Sequence, residues 1–250
     1  MAIMRGGRTN YGEDIGILMC DTVFPRYPGD IGNARTYPFP VRYRIVQGAS
    51  MDRLLTKHPD ERLIAPFIEA AQDLERAGVR AITTSCGYLA PFQRALADAV
   101  HVPVFTSALM MVPFLSSMLG KGRKIAIFTE TAENLTDELC RRVGWSMGDY
   151  PVVVRGMGPD ADFPEVYSRD RQTAEWDVLE AEMTAMARAQ MEECPETGAI
   201  LFECTNMGPF ARCVQRASGV PVFGINHLIE FVAAAVRPRN YRLLEDEEGR

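Results

Sequence analysis

Two cysteines stand at matching points of a repeated phrase. Residues 81–105, AITTSCGYLAPFQRALADAVHVPVF, align without a gap to residues 199–223, AILFECTNMGPFARCVQRASGVPVF, and 11 of the 25 positions are identical. Cys86 pairs with Cys204, Pro91 with Pro209, Phe92 with Phe210 and Arg94 with Arg212, while Ser85 stands against Glu203 and Tyr88 against Asn206. The thiols are kept where their neighbours have diverged. A thiol titrates near enough to neutrality to act as base in one state and as acid in the other. Two such groups flanking a bound carbon could move a proton across it. One takes the α-proton as thiolate, the other returns a proton to the opposite face, and no cofactor or metal is called for. Cys86 and Cys204 are therefore the candidate catalytic residues.

The elements that must hold them can be read in the same way. A weaker echo joins GEDIGILMCDT (12–22) to GRKIAIFTETA (122–132), so the chain reads as two copies of one α/β half. Short runs rich in Val, Ile and Phe predict strands at 14–20, 41–46, 79–84 and 102–106, and again at 123–128, 151–155, 199–203 and 220–224. Residues 60–78 predict a helix stopped by Gly78, with Pro66 in its first turn or at a kink. Residues 169–194 predict the longest helix, and others start near 90, 107, 131, 208 and 227. Strands alternating with helices predict an α/β fold. Its two halves, residues 1–112 with 226–250 and residues 113–225, each carry a roughly four-stranded parallel sheet. A pseudo-two-fold axis relates them, with the site in the cleft between.

Each cysteine then lies where a strand ends and a helix begins, the ligand-binding edge of an open parallel sheet. The free N–H groups there favour negative charge, so a lowered thiol pKa and a held substrate carboxylate are both expected. Gly87 and Thr205 let a ligand approach the backbone. Thr205 and Asn206 add donors, and Tyr88 adds a phenol and an apolar wall. Thr129 and Thr131 in TETAEN (129–134) are placed to face the cleft, although Thr131 also reads as an ordinary helix cap. The long segment 21–40 leaves the same sheet edge. It is as plausible a substrate contact, through Asp21, Arg26, Asn33 or Arg35, as a cover that excludes water. Cys20, Cys140, Cys194 and Cys213 read as small buried apolar residues. His58 and His101 sit in loops with nothing to support catalysis, His227 is a minority candidate at the cleft mouth, and Arg94 and Arg212 read as surface groups.

Composition narrows the rest. The chain has 250 residues, 47% of them hydrophobic, 24% charged, with a net charge of −6. Without a basic cluster nucleic acid is not an expected partner. The apolar run ALMMVPFL (108–115) is too short for a membrane span and contains Pro113. The N-terminus lacks the apolar stretch of a secretory signal, and six scattered cysteines without a CxxC pair suggest reduced thiols in the cytoplasm. The acidic end 245–250 reads as a solvated tail.

The two turns TTSCGYLAPF and LFECTNMGPF, and the layout around them, resemble the aspartate/glutamate/hydantoin racemase superfamily. The resemblance implies a cofactor-independent isomerase, a racemase or epimerase acting on a small carboxylic acid, amino acid or hydantoin-like substrate, and it makes a homo-oligomer plausible. The same superfamily holds maleate isomerases, with one nucleophilic cysteine, and arylmalonate decarboxylases, which keep a single cysteine. In the amino-acid racemases the first cysteine is typically followed by Asn-Thr and the second by Thr and then His or Glu. Here Gly87-Tyr88 and Thr205-Asn206 stand instead, which points away from free glutamate or aspartate. Both thiols being present points away from a simple decarboxylase. A covalent cis–trans isomerase and a non-catalytic carboxylate-binding protein are the alternatives.

Overall fold

The computed structural model describes residues 3, 6–57, 60–158 and 160–239. His58 and the acidic tail 245–250 lie outside the described residues. In chain order the first half contains β1 (Ile15–Cys20), β2 (Val41–Val46), α1 (Met51–Leu54), α2 (Ile64–Ala77), β3 (Ala81–Thr84), α3 (Gln93–Ala99) and β4 (Val104–Phe105), and α4 (Val112–Met118) leads into the second. The second contains β5 (Lys124–Phe128), α5 (Asp137–Arg142), β6 (Val152–Arg155), α6 (Asp162–Tyr167), α7 (Trp176–Glu193), β7 (Thr197–Phe202), α8 (Ala211–Ser218) and β8 (Val222–Phe223). A final helix, α9 (Ile225–Val236), closes the described chain.

The strands form two four-stranded sheets, ordered β2-β1-β3-β4 and β6-β5-β7-β8, with every pairing parallel. The expected α/β fold of two similar halves is the one that forms. The central strands β1, β3 and β7 are buried along their whole length, which is why they are continuous apolar runs and not alternating ones. Helix α2 buries Phe67, Ala70, Ala71 and Leu74 on one face, at helical spacing. It ends where Gly78 adopts φ 97° and its N–H reaches back to the Leu74 and Glu75 carbonyls. Pro66 falls in the first turn of α2, where a missing N–H costs nothing.

Three local expectations change. The cysteines do not open α-helices. Each caps a 3-10 turn, Gly87–Phe92 and Thr205–Phe210, and α3 and α8 start only after it. Pro91 and Pro209 lie inside those turns. Proline has no N–H to give an i−4 carbonyl, so regular α bonding begins beyond it. The helix expected from 169 begins at Trp176, because Asp170 takes φ 54° and breaks the pattern. Its carboxylate Oδ1 instead accepts the backbone N–H groups of Val23 and Phe24 at 2.7 and 3.1 Å. The short helix α6, which buries Phe163, Val166 and Tyr167, was not expected from the sequence pattern.

The halves are joined through polar and apolar contacts. Trp145 Nε1 donates to the Leu109 carbonyl at 2.9 Å, and Asn134 Nδ2 donates to the Leu55 carbonyl at 3.1 Å. Helix α9 lies against β3, where Arg80 donates to the Val236 carbonyl at 3.0 Å and Arg237 pairs with Asp14 at 3.1 Å. Among the described residues no helix is long and apolar enough to cross a membrane.

Candidate active site

Sheet register fixes which residues of the halves correspond. Ile15 of β1 lies opposite Ala81 of β3, and Ile125 of β5 lies opposite Ala199 of β7. Counting forward from these pairs, Cys20 occupies the place of Glu130. Ser85-Cys86-Gly87-Tyr88 likewise occupies the place of Glu203-Cys204-Thr205-Asn206. All ten of these residues line one small cavity between the halves, completed by Phe24, Arg26, Met51 and Leu55 from the first half. The space open to the centre of a water molecule is ≈ 20 Å³, about one water's worth. A larger ligand must therefore part the walls.

The turns touch across the pseudo-axis in an equivalent way. Thr205 Oγ1 donates to the Ser85 carbonyl at 2.7 Å. In the counterpart contact, Gly87 packs so closely on Glu203 that a β-carbon there would lie 2.1 Å from Oε1 and 2.6 Å from the carbonyl oxygen. Only glycine fits this approach. The 21–40 segment crosses to the second half. Asn206 Nδ2 donates to Asp30 Oδ2 there, and Asn226 Nδ2 of α9 donates to the Gly29 carbonyl, both at 2.7 Å. The buried Asp30 also pairs with Arg26 at 2.7 Å, and that guanidinium lies 4.3 Å over the Phe24 ring. The segment therefore covers the cavity and supplies a cation to its wall.

The protonation states differ from the sequence expectation. Both candidate thiols are pushed well above the ordinary thiol value. For Cys86 the cause is first its hydrogen bond with Cys20 and then burial. For Cys204 it is burial, then the Glu130 and Glu203 carboxylates. The backbone N–H groups of Tyr88 and Asn206 do pull the two thiols down, but desolvation wins in so closed a site. Cys204 is held as a donor to Asn206 Oδ1 at 3.6 Å. Cys20 moves the other way, lowered by the hydrogen bond from Cys86 and then, against burial, by Ser85 and Arg26. The contact between the two thiols thus lowers Cys20 and raises Cys86.

Two carboxyl groups complete the wall. Glu203 is 1% exposed and Glu130 4%. Burial raises Glu203 to about 7, against a hydrogen bond from Thr129, and raises Glu130 to about 8 with help from Glu203. The Ser168 hydroxyl donates to Glu130 Oε1. The cavity is thus electrically lopsided, with two acids from the second half facing the thiol pair, Ser85 and Arg26 of the first.

Of the residues expected at the site, Cys86, Cys204, Gly87, Tyr88, Thr205 and Asn206 come together around the cavity. Thr129 and Thr131 stand behind it. Thr129 bonds Glu203 Oε2 at 2.8 Å, and Tyr88 donates to the Thr131 carbonyl at 3.0 Å. Asp21 does not line the cavity and accepts the Gly48 N–H at 3.1 Å. Arg26 reaches the wall, whereas Asn33 caps a 3-10 turn and Arg35 is exposed. His101, His227, Arg94 and Arg212 are exposed and away from it. Cys140, Cys194 and Cys213 lie elsewhere, but Cys20 is a wall residue and not mere filling. Glu130 and Glu203 were also missed. The signal was present in the repeat, since the place before each cysteine and the end of each first strand must face the same cleft. Among the described residues no group of three or more His, Cys, Asp or Glu side chains is arranged to hold a metal ion.

Solved structures place this architecture. The chain superposes on a point mutant of arylmalonate decarboxylase with TM-score 0.57 at 17% identity, covering 90% of this chain and 96% of that one. It superposes equally on allantoin racemase from Pseudomonas fluorescens, with TM-score 0.57 at 15% identity over 89% and 91% of the two chains. Glutamate racemase from Francisella tularensis gives 0.54 at 12% identity over 92% and 85%. The chain has the fold that these decarboxylase and racemase structures share. The resemblance carried by the two cysteine turns is borne out at that level.

Sequence relatives say something different about activity. The chain is 28% identical over 213 residues to dimethylsulfoniopropionate lyase of Durusdinium sp. clade D, covering 84% of this chain and 70% of that protein. It is 27% identical over 228 residues to dimethylsulfoniopropionate lyase 7 of Emiliania huxleyi (strain CCMP1516), covering 88% of this chain and 66% of that one. The chain therefore spans roughly two thirds of the length of these relatives. No family model matches it. Relatives and fold neighbours alike are enzymes, which agrees with an enzyme as the broad class. The expected racemase activity is overturned, because the proteins that match in sequence are named lyases and not isomerases.

Proposed function

We propose that this protein is a lyase that eliminates a neutral sulfide from a small β-sulfonium carboxylate, with dimethylsulfoniopropionate as the reference substrate. The observation that carries this reading is the pair Cys86 and Cys204 in one buried cavity, in a chain whose sequence relatives are dimethylsulfoniopropionate lyases.

The chemistry shares its first step with racemisation and parts from it at the fate of the carbanion. A thiolate takes the proton on the carbon next to the carboxylate. In a racemase the carbanion waits for a proton from the other face. Here the electron pair forms the double bond to the β-carbon, the carbon–sulfur bond breaks, and dimethyl sulfide leaves with that bond's electrons. The products are dimethyl sulfide, acrylate and the proton now held on the thiol. The second thiol is then a donor toward the charge that grows on the carboxylate, not an obligatory reprotonating acid. Raised thiol pKa values suit this substrate. A fixed positive charge brought into a buried cavity lowers the pKa of every thiol around it, so the base is activated when the substrate arrives. Arg26, on the first-half wall, is the available seat for the carboxylate. Closure of the 21–40 segment over the site excludes water from the carbanion.

The test is direct. Purified protein is incubated with dimethylsulfoniopropionate, and headspace dimethyl sulfide is measured with acrylate in solution. Equimolar products with wild type, and none with Cys86→Ala or Cys204→Ala, are expected. No dimethyl sulfide from folded wild type, or undiminished release by either variant, overturns the reading.

A further inference from the structure

The least satisfied polar atom in the cavity wall is Glu203 Oε1. It is buried and has no hydrogen-bond partner among the described residues. It lies close to Gly87 across the cleft, where an added β-carbon would come within 2.1 Å of it. An acceptor kept dry and unpaired costs stability, so its place in a ligand cavity asks for a ligand explanation.

The other oxygen is satisfied. Thr129 Oγ1 donates to Glu203 Oε2 at 2.8 Å, and Tyr88 Oη, 3.1 Å from Thr129 Oγ1, donates to the Thr131 carbonyl at 3.0 Å. These hydroxyls are spent on other acceptors, so Oε1 is left without a partner. The ionisable groups around Glu203 are Cys86 and Tyr88 from the first turn, Glu130 beyond β5, Cys140 on α5 and its neighbour Cys204. None is a cation, so none competes with a positively charged ligand for Oε1.

We propose that Glu203 Oε1 is the seat of the substrate's cationic end, and that it selects small carboxylates carrying a fixed positive charge over neutral ones of the same shape. This deepens the lyase reading and rests on it for the substrate class. An onium group has no N–H or O–H to donate, so it asks for an acceptor with no other partner, and the aromatic residue Tyr88 lines the same cavity. When the cation arrives, Glu203 ionises, Thr129 keeps its bond to Oε2, and one proton leaves the protein. The repeat supports the assignment. The equivalent place in the first half is Ser85, and that side of the cavity carries Arg26, so the two halves offer opposite ends to a dipolar ligand.

Two unreactive probes separate charge from shape: 3-(trimethylammonio)propionate, and its neutral carbon counterpart 4,4-dimethylpentanoate. Titration calorimetry in two buffers of different ionisation heat, at about pH 6 so that Glu203 starts protonated, gives both affinity and protons released. Wild type is expected to favour the ammonium probe by about tenfold or more and to release a proton with it alone. Glu203→Gln is expected to lose the preference and the release while still binding the neutral acid. Equal affinity of wild type for the two probes, binding of neither, or preference and release persisting in Glu203→Gln each overturns the proposal. The wild-type measurement needs no variant, so misfolding of Glu203→Gln cannot rescue it. Failure to release dimethyl sulfide together with cation-selective binding sinks the lyase reading and leaves the cation seat standing.

Discussion

Thr205 Oγ1 and the Ser85 carbonyl meet at 2.7 Å across the pseudo-two-fold axis, tying the residue after one catalytic candidate to the residue before the other. This bond sets the relative position of the two cysteine turns, because the acceptor is main chain and the donor sits next to Cys204. Thr205→Val keeps the shape and leaves the carbonyl unpaired. It should destabilise the protein by about 1–3 kcal/mol and slow dimethyl sulfide release, while Thr205→Ser should restore most of both. Denaturant unfolding with parallel activity assays reads the two effects. A Thr205→Val protein as stable and active as wild type would remove this tie from the account.

Gly87→Ala tests the matching contact. The added carbon meets Glu203 Oε1 at 2.1 Å and the Glu203 carbonyl at 2.6 Å. The carboxylate end can swing away, but the main-chain oxygen belongs to the turn itself. Overpacking of this kind should cost about 1–3 kcal/mol and move the two thiols apart. The melting temperature should drop, and activity should fall further than the loss of folded protein explains.

The three wall thiols should separate by role. Cys86→Ser and Cys204→Ser should each lower kcat/KM by about a hundredfold or more with melting temperature unchanged. Cys20→Ala should do something else. Its hydrogen bond is the largest cause raising Cys86, so its removal should move the limb of the pH–kcat/KM profile that reports base ionisation to lower pH. A profile that keeps its shape in Cys20→Ala would show that Cys86 is not the titrating base.

The buried acids should be visible in stability against pH. Glu203 and Glu130 titrate at about 7 and about 8 in the folded protein, against 4.5 for an ordinary glutamate. A raised folded value means the fold prefers the neutral form. Their stabilisation is fully present below about pH 4.5 and is lost as pH rises through about 7 and 8. The stability of wild type relative to Glu130→Gln or Glu203→Gln should therefore fall across that window, by on the order of a few kcal/mol. Paired urea titrations at several pH values would measure it, and a flat difference would show that neither acid is held neutral.

The layout of the site was open to reading from sequence wherever a pattern repeats. Eight strands, the alternating helices and the matched pair Cys86 and Cys204 emerge from apolar runs and from self-similarity, because the central strands, covered on both faces, leave a plain signal. The same repeat held Glu203 opposite Ser85 and Glu130 opposite Cys20, but a difference between copies read as drift when it was the polarity of the cavity. The substrate class was also beyond the local signal. Both a racemase and a lyase take the proton beside a carboxylate, and the fate of the carbanion depends on the leaving group.

By itself, then, the sequence determined the two-fold α/β plan and the sheet edge on which both thiols stand, since these depend on residue types at short spacing. Tertiary structure decided the rest. It closed the cleft until burial outweighed the N–H groups at Cys204, and at Cys86 the contact with Cys20 and then burial did the same. It brought Cys20 onto Cys86, folded Asp30 and Arg26 of the 21–40 segment over the site, and left one oxygen of Glu203 dry and unpartnered. Each of these is a matter of desolvation and of contacts between residues far apart in the chain. Their energies are set by what surrounds a group, which no stretch of neighbouring residues records.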